Sequence, residues 1–278
     1  MAREIHDIYD VILKIIIIVY NVTFLNYIGI EKNIKKILKT EFVTVNGKKY
    51  YLDFLCQLED DTLCHIEFQF PKAQPNDLDR FFNYNIIAEV RHGLLTETTI
   101  LNFTSKKIKD TIRHIGKSKC FKPKQVYLGD IDFKSYWRNI NIKAEQNVKL
   151  TGFEEITLLL TCLMPKCKNK AKMLNKIWKL LKNKNLFDES KFEYIQAIIS
   201  LETENLISKD EREKSGEINM SPEAEKLITD VINEVNRKSL YEAKLEGKEE
   251  VARNLKSILN DEEISKHTGL SIKRIQQL

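Results

Sequence analysis

Asp53, His65, Glu67 and Gln69 are the residues of this 278-residue chain whose types and spacing point most directly to chemistry. Asp53 interrupts an apolar, aromatic run, Tyr50-Tyr51-Leu52-Asp53-Phe54-Leu55. Glu67 and Gln69 interrupt the next such run, Cys64-His65-Ile66-Glu67-Phe68-Gln69-Phe70. Side chains alternate across a strand, so His65, Glu67 and Gln69 share one face and Cys64, Ile66, Phe68 and Phe70 the other. Whether Asp53 joins the polar face depends on the turn between the two runs. A two-residue loop at Asp60-Asp61 pairs Asp53 with Phe68 and separates the acids. An odd loop, such as Glu59 to Asp61, sets Asp53 directly opposite Glu67, close enough for both to hold one ion.

Two adjacent carboxylates repel unless positive charge lies between them. A hard divalent cation, Mg²⁺ or Mn²⁺, meets that demand with oxygen ligands, and such an ion activates water and polarises a phosphodiester. Gln69, two residues beyond Glu67 on the same face, could orient the attacking water. The competing reading is structural: the acids pair with lysines such as Lys14 or sit at sheet ends, as polar residues on half-exposed strands often do. Spacing alone leaves both readings open. The five histidines show no metal-ligand spacing, and His65 reads as a neighbour of the acids rather than a ligand. Cys162 and Cys167, five apart around Pro165, read as buried thiols.

The elements that must position these residues follow from periodicity. Residues 1–40 read as one or two helices broken near Gly29. From Glu41 the pattern becomes strand, with a hairpin signal at Asn46-Gly47 and a second turn at Glu59-Asp60-Asp61-Thr62. Residues 77–92 suit an amphipathic helix, Leu94 to Phe103 another strand, and Lys124 to Leu128 a short one, while Phe133 to Ile142 is ambiguous. Residues 150–205 read as all-helical. A linker spans about 209–220, and Ser221-Pro222-Glu223 starts a long charged helix, with serine as cap and proline in the first turn. Two short helices around Thr268-Gly269-Leu270 end the chain.

Composition narrows the class. Hydrophobic residues are 42% and charged residues 31%, with 9 glycines and 5 prolines, which excludes collagen-like, proline-rich and acidic disordered chains. Five cysteines without a CxxC pair argue against a disulfide framework or a zinc ribbon, and a reduced, cytoplasmic protein is expected. Val11 to Ile30 is apolar, but Lys14, Asn21 and Asn26 interrupt it, so no membrane span of about 20 residues is expected. The net charge of +5 is unevenly spread: residues 1–100 hold 11 basic and 14 acidic side chains, residues 101–185 hold 20 and 6, and residues 186–278 hold 14 and 20. A local excess of +14 can neutralise several phosphates, although a solvated lysine-rich face is an equally plain account of it.

The pattern LDFLCQLEDDTLCHIEFQF, an aspartate on one hairpin strand and E-x-Q on the next, resembles the PD-(D/E)XK nuclease superfamily. More narrowly it is similar to the recombination-promoting nuclease and transposase branch. Asp10-Val11-Ile12-Leu13-Lys14 resembles that branch's N-terminal D-x-x-F-K helix, and Arg80 and Tyr84 resemble its R-x3-Y helix. The tail GKEEVARNLKSIL…EEISKHTGLSIKRIQQL is similar to its C-terminus. The resemblance implies a mixed α/β, restriction-endonuclease-like sheet core flanked by helices, over residues 1–145. A helical extension (146–208), the linker (209–220) and a C-terminal helical tail (221–278) follow. It implies Mg²⁺- or Mn²⁺-dependent cleavage of DNA, with Asp53 and Glu67 as metal ligands and Gln69 in the lysine position of the superfamily motif. Glutamine hydrogen-bonds but brings no charge to a developing oxyanion. Arg80 and the basic residues Lys106, Lys107, Arg113, Lys122 and Lys124 are the expected phosphate contacts. The tail reads as helix-turn-helix-like, with Lys273 and Arg274 toward a groove, or as a protein-interaction segment through which the chain forms homo-oligomers. The alternative for the whole protein is an inactive nuclease-fold module that binds nucleic acid or protein.

Overall fold

The computed structural model describes residues 2–43, 49–70, 75–104, 112–115, 119–164, 166–208 and 221–278. The chain divides into two compact units, residues 1–228 and 229–278.

The first unit is mixed α/β. Helices α1 (Ala2–Tyr20) and α2 (Val22–Tyr27) precede β1 (Ile34–Ile37), β2 (Glu41–Val43), β3 (Lys49–Tyr51), β4 (Phe54–Leu58) and β5 (Leu63–Gln69). Then come α3 (Pro75–His92), β6 (Thr96–Asn102), β7 (Arg113–Ile115), β8 (Lys119–Phe121) and β9 (Lys124–Tyr127). A five-stranded sheet runs in the order β1-β4-β5-β6-β9, while β2-β3 and β7-β8 form separate two-stranded ribbons. β4 is antiparallel to β1 and β5, whereas β5, β6 and β9 run parallel. A parallel step requires a crossover, and α3 supplies it between β5 and β6.

All seven residues of β5 are buried, as a central strand covered on both faces should be. The face that carries His65 and Glu67 is covered by α3, whose Leu78, Phe81, Tyr84 and Ala88 form one core with Leu52, Leu55, Leu63 and Ile100. The buried run Val11 to Ile17 places α1 in the interior, packed against α5 (Gly152–Leu160) and α7 (Phe192–Leu206). Tyr9 of α1 stacks on Phe70 at the end of β5, with centroids 4.7 Å apart. Among the described residues no helix is long and apolar enough to cross a membrane.

The sequence reading is corrected at residues 34–37, which form an edge strand instead of helix. Their exposed lysines, Lys35 and Lys36, make an open sheet edge unattractive to another chain. The ambiguous segment resolves as α4 (Phe133–Glu145), started by the Asp132 carboxylate, which accepts the Ser135 amide. In the 150–205 region α5, α6 (Lys170–Leu181) and α7 follow as expected. The hairpin tip at Asn46-Gly47, Pro71 and Pro165, and the linker residues 209–220 lie outside the described residues.

The second unit holds most of α8 (Pro222–Leu255), with α9 (Asp261–Thr268) and α10 (Ile272–Gln276). Ala252, Ile264, Leu270 and Ile275 form its small core. Gly269, at φ 69°, closes α9 in the left-handed conformation that glycine adopts without strain, and Ser271 caps α10. Arg274, one of the two cations expected to face a groove, instead donates from Nε to Glu249 of α8 at 2.7 Å.

Candidate active site

The turn between β4 and β5 decides whether the two acids meet. Leu58 N–H donates to the Thr62 carbonyl, which leaves Glu59, Asp60 and Asp61 as a three-residue turn with Asp61 at φ 59°. This is the odd loop. Aspartate tolerates that left-handed conformation. The Asp60 carboxylate accepts from Thr62 N at 3.1 Å and Thr62 Oγ1 at 2.6 Å, and it pairs with Lys32 at 3.0 Å. The Thr62 hydroxyl and the Lys32 ammonium hold it down at about 2. Asp60 and Asp61 are thus turn formers, occupied by Thr62, Lys32 and Lys35.

The resulting register pairs Phe54 with Ile66 and Leu55 with His65, so Asp53, one residue further out, stands opposite Glu67. Each carboxylate accepts from a backbone amide of the facing segment. Phe68 N–H donates to Asp53 Oδ2 at 2.7 Å, and Asp53 N–H donates to Glu67 Oε1 at 3.2 Å. Asp53 is 3% exposed and Glu67 2%. Both carboxylates are therefore withdrawn from bulk water into an interior in which charge interactions are stronger.

Gln69 lies on the same face, 8% exposed, paired in register with Asn102 of β6. Among the described residues no group hydrogen-bonds its side-chain amide. Arg80, on the first turns of α3, pairs with Asp77 at 3.5 Å while its side chain stays 44% exposed. Burial works against its charge, but the carboxylate of Glu67, with Tyr84, Asp77 and Asp53, outweighs burial and holds the guanidinium above its ordinary range. Tyr84 is core, edge-on to His65 at 6.1 Å.

Sequence reasoning had treated His65 only as a neighbour. The structure shows it fully buried, with Nε2 2.8 Å from Glu67 Oε1 and Nδ1 3.2 Å from Thr98 Oγ1. Thr98 in turn accepts from Asn85 Nδ2 at 3.2 Å. Thr98 and Asn85 were missed altogether. The signal for Thr98 lay in the alternation of Thr96, Thr98, Ile100 and Asn102, which places four residues on the Glu67 face. The signal for Asn85 was an amide on the otherwise apolar face of α3.

Of the other expected phosphate contacts, Arg113 and Lys124 are engaged within the fold. Arg113 is bound to Asp79 and lies over the Phe82 ring at 5.2 Å, and Lys124 donates to the Gly29 carbonyl. Lys122 is exposed, and with Lys32, Lys124 and Phe121 it lines an open cavity of about 610 Å³ that Asp53, Glu67 and Gln69 do not line. Lys106 and Lys107 lie outside the described residues.

Among the described residues no group of three His, Cys, Asp or Glu side chains is arranged to hold a metal ion. The oxygen donors that would be available to an ion are the Asp53 and Glu67 carboxylates, with the Gln69 amide nearby on the same face. That set suits Mg²⁺, which keeps several waters and is held by one or two carboxylates together with substrate phosphate. It does not suit zinc, which favours three or four nitrogen and sulfur ligands. Comparison with known proteins adds no name to this arrangement: no family model, no curated protein and no solved structure matches the chain.

Proposed function

We propose that the chain is a divalent-metal-dependent DNA endonuclease whose fold is a variant of the restriction-endonuclease-like sheet. The observation that carries this reading is the opposition of Asp53 and Glu67 on the α3-covered face of the sheet, both nearly fully buried, with the Asp53 amide bonded to Glu67 and the Phe68 amide to Asp53. Asp53 and Glu67 would hold Mg²⁺ or Mn²⁺ between them. When bound, the ion supplies Lewis-acid polarisation of a phosphodiester and a more acidic water. The chain's own residues do the rest. Asp53 is held by the Phe68 amide and Glu67 by the Asp53 amide, which ties both carboxylates to the facing strands. Gln69 presents a neutral amide that orients a water without donating charge. Arg80, already drawn toward the acids, has an exposed guanidinium able to meet a phosphate oxygen.

The test is incubation of the full chain with supercoiled plasmid and Mg²⁺ or Mn²⁺. Nicking that chelation stops, and that Asp53→Asn and Glu67→Gln each abolish, supports the enzyme. Binding without nicking, unchanged by either substitution, contradicts it.

A second reading has its own observation. The Glu67 hydrogen bonds all fall on Oε1, from His65 and the Asp53 amide, and an acid so engaged can be purely structural. In that case the chain is a nuclease-fold module that binds nucleic acid or protein without cleavage, and the same plasmid assay separates the two.

A further inference from the structure

We infer that His65 is a positioning residue for Glu67, and that an Asn85–Thr98–His65 chain fixes which ring nitrogen presents its proton to the carboxylate. The inference rests on the reading of Asp53 and Glu67 as the pair that holds the ion.

The chain of bonds has a direction that satisfies every partner. Asn85 Nδ2 donates twice, to the Thr96 carbonyl at 2.7 Å and to Thr98 Oγ1 at 3.2 Å. The Thr96 carbonyl can only accept, which sets the Asn85 amide with its NH₂ toward the strand. Thr98 Oγ1 then accepts from Asn85 and keeps its own proton available for His65 Nδ1, 3.2 Å away, the arrangement we assign. An imidazole that accepts at Nδ1 carries its proton on Nε2 and donates it to Glu67 Oε1 at 2.8 Å.

The consequence falls on the site. Glu67 Oε1 receives both the His65 Nε2–H and the Asp53 N–H. Among the described residues no hydrogen bond reaches Oε2, so the carboxylate is held by one oxygen and offers the other. All four groups are nearly or fully buried: His65 is 0% exposed, Thr98 6%, Asn85 7% and Glu67 2%. They also come from three elements, β5, β6 and α3, so the chain ties Glu67 to the crossover helix as well as to its own strand. Outer hydrogen bonds of this kind orient a ligand, and their loss typically weakens metal binding about 10- to 100-fold.

The experiment uses the full chain labelled with ¹⁵N-histidine, read by long-range ¹H–¹⁵N correlation, beside Mn²⁺ titration. The expected result for wild type is a His65 ring with Nε2 protonated and Nδ1 unprotonated. Thr98→Val, which keeps the shape and removes the hydroxyl, should produce a mixture of tautomers and weaken Mn²⁺ binding about tenfold. His65→Gln, which returns an amide donor near the Nε2 position, should bind Mn²⁺ within a few-fold of wild type. His65→Leu, which fills the space without a donor, should lose about 10- to 100-fold. A wild-type ring protonated on Nδ1 alone, with Mn²⁺ binding intact, overturns the positioning chain and leaves the proposed function standing. The expected tautomer in a wild-type chain that binds no Mn²⁺ overturns the proposed function, and the role of His65 with it. Equal Mn²⁺ affinity in the leucine and glutamine variants also overturns the inference.

Discussion

The sheet and the helical layer behind it both bury adjacent carboxylates, and they use them in opposite ways. In the helical layer Glu154 and Glu155 open α5. Glu154 Oε2 accepts from the Thr151 amide, the Thr151 hydroxyl and Lys143, all within 2.9 Å, as one half of a capping box. Glu155 spends one oxygen on the Tyr20 hydroxyl and the other on the Asp188 amide. Each is occupied by the helix start or by the joint between α5 and its neighbours. On the sheet, Asp53 and Glu67 are as deeply buried, but their bonds tie each acid to the other's strand and are concentrated, for Glu67, on one oxygen. Burial of an acid is therefore not the mark of a site. What sets the sheet pair apart is that the two acids stand in facing register on neighbouring strands, with the described bonds to Glu67 on Oε1.

That contrast can be broken at either end. The largest effect is expected at the sheet, where Asp53→Asn or Glu67→Gln should reduce metal-dependent plasmid nicking at least about a hundredfold, with circular dichroism unchanged. The helical layer should answer in stability alone. Glu155→Ala leaves the Tyr20 hydroxyl and the Asp188 amide without their acceptor and should cost about 2–3 kcal/mol in urea unfolding, with nicking by the folded fraction intact.

Glu202 of α7 gives a third, opposite case. It is fully buried, and neither carboxyl oxygen has a hydrogen-bond partner among the described residues. Burial raises its pKa well above 4.5, against the pull of Lys170. The folded chain therefore keeps a proton that the unfolded chain releases once pH exceeds about 4.5, so this group's contribution to stability falls as pH rises. Glu202→Gln should raise stability at pH 8 by about 1 kcal/mol, or about 2–4 °C in Tm, and the gain should vanish near pH 4. A thermal-melt series across that range reads it directly. The smallest effect belongs to single cations: Arg80→Ala should lower the salt slope of DNA binding by about one, and Lys124→Ala, which is tied to the Gly29 carbonyl, by less.

Much of the sheet was legible because its signals are local. The polar interruptions at Asp53, Glu67 and Gln69, a helix over 77–92 (observed as Pro75–His92) and a strand after it all follow from alternation and helical period. The facing of Asp53 was undecidable from spacing, because it turns on whether Glu59 belongs to the loop, and Asp61's left-handed backbone settles that only in three dimensions. β1 was hidden because four residues of mixed polarity, Ile34-Lys35-Lys36-Ile37, carry no period of their own and become strand by pairing with β4. The hydrogen bonds of His65 were out of reach for the same reason. Its partner Thr98, and Thr98's own partner Asn85, lie 33 and 20 residues away from it and are brought together by the β5-α3-β6 crossover. For the basic block the charge count could not show that Arg113 pairs with Asp79 and Lys124 with the Gly29 carbonyl, contacts that depend on the folded chain.

The most direct measurement is a Mn²⁺ titration of wild type, Asp53→Asn, Glu67→Gln and the double variant. If the two acids share one ion, wild type binds one Mn²⁺ per chain, each single substitution weakens binding at least tenfold, and the double variant loses little beyond either single, as coupled ligands of one site must. A wild-type chain that binds no Mn²⁺, or one whose affinity survives both substitutions, contradicts the account.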